Sequence, residues 1–204
     1  MAFIINHMID NSKIFASYSN EASAFYSEFG YAHYRPDSIS FVSKIERCFQ
    51  YYSNLQTQKL ENIAFRNKEG LPRHFVDVFR DKESETFSLY SDRFIRQIVE
   101  GNLPKNSRCI YTHSKMSFKQ VGTNSGWYPH QDNGYKSKEA IREGFAIFIC
   151  LEDMNEDNGC LQVFSGSHKY GPLNHQRIVE DQATGDNQFC INSIPNNIEP
   201  KSVI

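Results

Sequence analysis

Residues 144–164, GFAIFICLEDMNEDNGCLQVF, contain two apolar runs separated by a polar turn, and they decide the class of fold. The first run, FAIFICL at 145–151, is almost continuously apolar and has the length of a strand, which is typical of a strand covered on both faces. Asn, Asp and Gly dominate NEDNG at 155–159 and favour a tight turn. CLQVF at 160–164 predicts a second strand, so we expect a β-hairpin inside a sheet.

The first half of the chain has a helical pattern. Residues 35–56 repeat apolar side chains every three to four positions, as on one face of a helix, and Asp37 or Ser38 is placed to cap it. A second helix is predicted over 91–100 and is expected to end at Gly101. The expected buried faces are Ile39, Val42, Ile45, Cys48 or Phe49, and Tyr52 in the first helix, and Phe94, Ile95, Ile98 and Val99 in the second.

Residues 107–121, SRCIYTHSKMSFKQV, alternate in polarity and predict a long strand. Its two faces would be Cys109, Tyr111, His113, Lys115, Ser117 and Lys119 on the polar side, and Ile110, Met116 and Phe118 on the apolar side. The polar face lines either a cavity or the solvent, and the pattern leaves both open. The fold class expected from these patterns is α+β and mainly β: one domain over 1–204, with a mostly helical part at 1–105 and a β core at 106–204.

The composition excludes several classes of function. With 204 residues, 39% of them hydrophobic, the chain has the material for one globular domain. Its 22 basic and 24 acidic residues give a net charge of −2 and form no dense basic block, so neither nucleic acid nor a membrane is an expected partner. Five widely spaced cysteines argue against a disulfide framework and a thiolate zinc site. No signal or membrane-spanning run is evident, which favours a cytoplasmic location.

The stretch WYPHQDNGY at 127–135 holds the candidate metal ligands. His130 and Asp132 are two positions apart, so in an extended segment their side chains point to one side while Gln131 faces away. An imidazole and a carboxylate, with a second imidazole from elsewhere, form the facial triad that holds non-haem Fe(II) and leaves coordination positions open. Zinc is the alternative metal for such ligands. An HxD pair alone also arises often by chance, without any metal.

The sequence around these residues resembles a known family. The segments FKQVGTNSGWYPHQDNGY at 118–135 and GFAIFICLEDMNEDNGCLQVFSGSHKYGPLNH at 144–175 are similar to the signature of the phytanoyl-CoA dioxygenase family of Fe(II)- and 2-oxoglutarate-dependent oxygenases. The resemblance implies a double-stranded β-helix, a jelly roll of eight strands in two sheets, with N-terminal helices packed outside it. It also implies that His130 and Asp132 are the first two iron ligands and that a small organic molecule is hydroxylated.

The resemblance extends to residues beside the expected co-substrate. Lys115 lies where the family places a side chain that touches 2-oxoglutarate, Lys119 matches a lysine on the same strand face, and Phe148 replaces a tryptophan that packs nearby. Each has a structural alternative: the lysines as solvated side chains, and Phe148 as a core residue. His168 and His175 are candidates for the third ligand, but the family uses this segment as a structured loop, so hydrogen bonds that pin the loop are expected.

The C-terminal end departs from the family pattern. There the family has a histidine ligand and an arginine that binds 2-oxoglutarate, whereas this chain reads IEPKSVI at 198–204. We therefore expect a jelly roll without its last strands, a chain that does not retain iron by itself, and open edges through which a homodimer could form. The loop at 133–144 is one segment expected to select the substrate.

Three hypotheses of function follow from this sequence. The first is a 2-oxoglutarate-dependent dioxygenase acting on a small molecule, with Fe(II) and 2-oxoglutarate as cofactor and co-substrate. The second is a truncated, catalytically silent member of the family that acts as a binding or interaction protein. A cupin-like zinc or iron hydrolase or isomerase is less favoured, because no clear general base accompanies the ligands.

Overall fold

The computed structural model describes residues 2–5, 13–55, 64–66, 72–111, 113–119, 127–132, 144–178, 188–198 and 200–203. The α-helices in these residues are α1 (Asn20–Phe29), α2 (Ile39–Leu55), α3 (Thr86–Tyr90) and α4 (Arg93–Asn102). The strands are β1 (Ala2–Ile5), β2 (Ile14–Phe15), β3 (Tyr31–Tyr34), β4 (Ala64–Arg66), β5 (Pro72–Val76), β6 (Lys115–Ser117), β7 (Ala146–Ile149), β8 (Leu161–Phe164), β9 (His175–Ile178), β10 (Gln188–Ile191) and β11 (Pro200–Val203). Short 3-10 helices occupy Val78–Arg80 and Ser167–Tyr170.

The largest sheet of the described residues has four parallel strands in the order β2-β3-β1-β7. β1 pairs with β3 on one side and with β7 on the other, and α1 is the crossover between the parallel strands β2 and β3. The strand predicted over 145–151 is confirmed as β7. Both of its faces are covered, by Ile147 and Ile149 in one apolar cluster and by Phe148 in another, which explains the continuous apolar run.

The predicted hairpin between 145–151 and 160–164 is wrong. β8 pairs antiparallel with β11, whereas β7 pairs with β1, so the two strands belong to different sheets. The turn between them is present: the Asn155 side chain accepts the N–H groups of Asp157 and Asn158, and Asn158 in return accepts from the N–H of Asn155. Turn residues thus set a local reversal, whereas the choice of strand partner depends on distant residues.

Helix α2 forms where it was predicted, but its buried face differs in part. Ser38 caps it, since the hydroxyl oxygen accepts the N–H of Phe41 at 3.3 Å. The buried residues are Phe41, Ile45, Cys48 and Tyr52. The prediction that Ile39 lies in the core is wrong: it is 84% exposed, because the first helical position points away from the face that Phe41 and Ile45 share.

Helix α4 starts two residues later than predicted and continues through Gly101 rather than ending there. The Asp92 carboxylate caps it by accepting the N–H of Phe94 at 2.9 Å. Ile95 and Ile98 are fully buried, as the sequence predicted. They join residues of α1, α2 and the four-stranded sheet in the main apolar core.

Of the long strand predicted over 107–121, the described part is a strand only at Lys115–Ser117, which pairs with β5. The expected alternation holds there, since Met116 and Phe118 pack against an apolar cluster while the residues between and beside them are exposed. Ile110 is 67% exposed, so its assignment to the apolar face is wrong. The reason is local: residues 107–111 are not in a strand, and β6 begins only at Lys115.

The described strands form sheets of four, three, two and two strands, and they do not close into a barrel. This part of the protein is therefore a mixture of helices and strands in which β1 to β3, from the first half, share a sheet with β7, from the second. None of its helices is both long enough and apolar enough to cross a membrane.

Candidate metal centre

The two candidate ligands are brought together by an irregular segment, 127–132, rather than by a strand. His130 Nε2 lies 3.7 Å from Asp132 Oδ1, which is too far for a hydrogen bond. Ligand bonds of about 2.0–2.2 Å would let one ion reach both atoms across this distance. The His130 side chain is 23% exposed and that of Asp132 78%, so the pair lies at the surface.

The orientation of His130 is set by a backbone carbonyl. Its Nδ1 lies 2.7 Å from the carbonyl oxygen of Tyr128. Because a carbonyl only accepts, Nδ1 must carry a proton, and in the neutral imidazole Nε2, on the side of Asp132, then carries the lone pair. That tautomer is the form in which an imidazole binds a metal, and a carbonyl is one of its usual outer partners.

Gln131 turns away from this pair, as the i, i+1 geometry of an extended segment predicts. Its Nε2 donates to the carbonyl of Gly171 at 3.0 Å, and its Oε1 accepts the N–H of Leu173 at 2.8 Å. The sequence reasoning gave Gln131 no function, because these partners lie 40 and 42 residues away and no local pattern reports them.

His168 and His175, the candidates for a third ligand, bond to loops and to the end of a helix. His175 Nε2 accepts the N–H of Gln131 at 2.9 Å, and its Nδ1 lies 2.9 Å from the carbonyl of Leu173. His168 Nε2 lies 3.0 Å from the carbonyl of Ser27 in the last turn of α1. These are the loop-pinning hydrogen bonds that the sequence predicted.

Lys115 and His130 are both close to the ring of Trp127. Lys115 Nζ is 4.7 Å from the centre of the Trp127 ring, a cation–π contact, and the same ring lies 6.2 Å from the ring of His130. This position is compatible with the predicted role, and the contact of Lys115 with 2-oxoglutarate stays a prediction. Sequence reasoning missed Trp127, although a lone tryptophan three residues before His130 was a signal available to it.

Lys119 and Phe148 have other partners in this structure. Lys119 Nζ donates to the carbonyl of Gly159, at the end of the turn before β8, and desolvation of its ammonium group lowers the pKa of Lys119. Phe148 packs in an apolar cluster with Tyr31 and Cys150. Their roles beside 2-oxoglutarate stay predictions, while these contacts favour turn stabilisation for Lys119 and packing for Phe148.

Within the described ranges, no group of three or more His, Cys, Asp or Glu side chains is arranged to hold a metal ion. The structure brings His130 and Asp132 together, and their role as metal ligands stays a prediction. The loop at 133–144, expected to select the substrate, lies outside the described residues except for its last residue.

Comparisons with known proteins identify the family of this chain. The family profile of Phytanoyl-CoA dioxygenase (PhyH) matches residues 26–201. A phytanoyl-CoA dioxygenase of Arabidopsis thaliana is 28% identical over 169 residues, which cover 82% of this chain and 53% of that protein. A phytanoyl-CoA dioxygenase domain-containing protein 1 of Danio rerio is 32% identical over 62 residues, 30% of this chain and 21% of that protein. The chain thus spans about half the length of the Arabidopsis relative. No solved structure matches it significantly.

Proposed function

Because the chain belongs to the phytanoyl-CoA dioxygenase family, whose profile covers residues 26–201, we propose that it is an Fe(II)- and 2-oxoglutarate-dependent dioxygenase that hydroxylates a small organic molecule. The observation that carries the proposal is the pair formed by His130 and Asp132, 3.7 Å apart with the lone pair of His130 on the side of the carboxylate. We further propose that the strands after residue 106 are part of the jelly roll of this family.

The donor set fits Fe(II). A neutral imidazole nitrogen and a carboxylate oxygen are two of the three ligands in a facial triad, and His130 would bind through Nε2 and Asp132 through Oδ1. The Tyr128 carbonyl would hold the imidazole in the correct tautomer and orientation. Bound Fe(II) and 2-oxoglutarate would supply the activation of oxygen, whereas the chain supplies the ligands and their orientation.

Lys115 is the residue that we propose for the co-substrate. Its ammonium group stacks on Trp127, whose ring is also next to His130, so the positive charge lies on the same side of the protein as the ligand pair. A carboxylate of 2-oxoglutarate beside the pair would gain a charge-assisted hydrogen bond from Lys115. Trp127 would exclude water from one side of that contact and strengthen it.

The test is titration of the chain with excess Fe(II) under anaerobic conditions, because two protein ligands hold iron weakly and iron retained through purification is too strict a measure. We expect Asp132→Asn to weaken Fe(II) binding by at least about ten-fold. Asp157→Asn is the matched control, since Asp157 is an exposed aspartate in the turn before β8 and should leave the affinity unchanged. Succinate formation with 2-oxoglutarate and oxygen should follow the same order.

Equal Fe(II) affinities for the wild type and Asp132→Asn would refute the proposed metal site. A wild-type chain that binds a small organic molecule but neither Fe(II) nor 2-oxoglutarate would support the alternative, a catalytically silent binding protein. Calorimetry with 2-oxoglutarate in the absence and presence of Fe(II) separates these two outcomes.

A further inference from the structure

The segment that carries the candidate ligands is anchored on both sides of His130. The carbonyl of Pro129 accepts the N–H of Ile191 at 2.9 Å, and the N–H of Gln131 donates to Nε2 of His175 at 2.9 Å. His175 and Ile191 are paired residues of the antiparallel strands β9 and β10. Both anchors therefore come from one place on one strand pair, 44 residues or more along the chain from the segment that they hold.

A closed ring of hydrogen bonds strengthens the second anchor. The N–H of Gln131 donates to His175 Nε2, His175 Nδ1 donates to the carbonyl of Leu173, and the N–H of Leu173 donates to Oε1 of the Gln131 side chain. Nε2 of the same Gln131 side chain donates to the carbonyl of Gly171. Every polar atom of the Gln131 side chain and of the His175 ring takes part, so the arrangement tolerates one tautomer of His175, with the proton on Nδ1.

We propose that Gln131 and His175 are positioning residues that hold His130 and Asp132 side by side, without touching the metal themselves. The consequence for metal binding rests on the proposed function, whereas the hydrogen-bond ring does not. His175 as a third ligand would need its Nε2, which accepts from Gln131, or its Nδ1, which carries a proton. Either bond to a metal would break the ring that orders the other two ligands.

The first measurement requires no metal. In ¹⁵N-labelled protein, His175→Phe keeps an aromatic ring but removes the acceptor, and His175→Gln returns an acceptor oxygen close to the place of Nε2. His168→Ala is the matched control, because His168 is also an imidazole bonded to a backbone carbonyl and lies seven residues earlier in the chain. We expect hydrogen exchange of the Gln131 amide to be about ten-fold faster in His175→Phe and near the wild-type rate in the other two variants.

The histidine ring signals provide a second readout in the same samples. Long-range ¹H–¹⁵N spectra of the wild type should show His175 protonated on Nδ1 rather than on Nε2. The ring signals of His130 report the arrangement of the ligand pair, so they should shift in His175→Phe and return in His175→Gln. Where His175→Phe does not fold, Gln131→Met tests the same ring, since it removes the bonds to Gly171 and Leu173 and should speed exchange of the Leu173 amide.

Titration with Co(II), an oxygen-stable substitute for Fe(II), connects the ring to metal binding. Affinity should fall about ten-fold in His175→Phe and stay near wild type in His175→Gln and His168→Ala. Unchanged Gln131 exchange and unchanged His130 signals in His175→Phe would overturn the proposal. Loss of Co(II) binding in His175→Gln with Gln131 protection intact would also overturn it, because His175 would then be a ligand. A wild type that binds no Co(II) but shows the expected exchange pattern refutes the proposed function and supports the positioning of the pair.

Discussion

Replacing Gly30 with alanine should destabilise the protein through one contact between α1 and the loop segment 166–170. Gly30 ends α1 with φ at 79°, in the left-handed region that favours glycine. A Cβ at this position would fall on the imidazole ring of His168, whose Nε2 is bonded to the carbonyl of Ser27 at 3.0 Å. The alanine therefore adds backbone strain and also displaces a ring that links the loop segment to the helix.

The expected loss of folding free energy is the sum of these separate effects. The left-handed conformation costs an alanine about 1–2 kcal/mol, and the smaller entropy of the unfolded alanine chain offsets about 0.4–1 kcal/mol of that. Overpacking against the ring costs about 1–3 kcal/mol, and the lost hydrogen bond to Ser27 about 1 kcal/mol. We expect a loss of about 3 kcal/mol for Gly30→Ala.

Gly166→Ala separates strain from steric conflict. Gly166 has nearly the same backbone, with φ at 78° and ψ at −2°, but among the described residues no atom beyond its chain neighbours lies within 4 Å of the place where a Cβ would be. Its loss should be about 1 kcal/mol or less, because only the strain and entropy parts remain. In a His168→Ala background, Gly30→Ala should cost no more than Gly166→Ala, since the obstructing ring is gone.

Urea unfolding followed by circular dichroism measures all of these free energies. Equal losses for Gly30→Ala and Gly166→Ala would refute the steric argument. The same holds if the extra cost of Gly30→Ala persists when the His168 ring has been removed.

Three further predictions concern the core, the co-substrate and the thiols. Phe41→Ala should lower the free energy of unfolding by about 3–5 kcal/mol, because the side chain is 0% exposed; a loss below about 1 kcal/mol in urea would contradict that packing. Lys115→Ala should raise the 2-oxoglutarate concentration for half-maximal succinate formation about ten-fold and leave Fe(II) affinity unchanged, and an unchanged 2-oxoglutarate dependence would return Lys115 to a role in stacking on Trp127. Burial raises the pKa of Cys48 to about 11 and that of Cys150 to about 12, so in the folded protein a thiol reagent should modify the exposed Cys109 and spare these two. Because their folded pKa values are raised, the stability that these thiols contribute is complete below their unfolded pKa of about 8.5 and should be lost as pH rises from about 9 towards 11, which unfolding at several pH values would test.

The sequence predicted those structural features that depend on residues a few positions apart. The cap at Ser38, the buried Ile45 and Tyr52 of α2 and the two buried isoleucines of α4 depend on residues a few positions apart, and each is where the pattern placed it. Strand pairing was not predictable in this way. A continuous apolar run such as β7 indicates a strand that is covered on both faces, but it does not determine which strand pairs with it. In the structure β7 pairs with β1 rather than with β8.

The candidate site shows the same difference between local features, which were predicted, and long-range contacts, which were not. The spacing of His130 and Asp132 brought their side chains to one side, even though the backbone between them is not a strand. Lys115 and Lys119 were equivalent on the predicted face, yet one stacks on Trp127 and the other bonds to the carbonyl of Gly159. The contacts of long flexible side chains depend on segments that are far away in the sequence, so the alternation of polar and apolar residues cannot assign them.

The position of β1 has a consequence for synthesis of the chain on the ribosome. Residues 2–5 are synthesised before both of their neighbours: β3 follows within about thirty residues, whereas β7 begins only at Ala146. At roughly 5–20 residues per second, an interval on the order of ten seconds separates the two pairings. During that time β1 exposes an open edge, to which an extended segment of another nascent chain could add. Co-translational aggregation should therefore be most sensitive to factors that slow translation between β3 and β7.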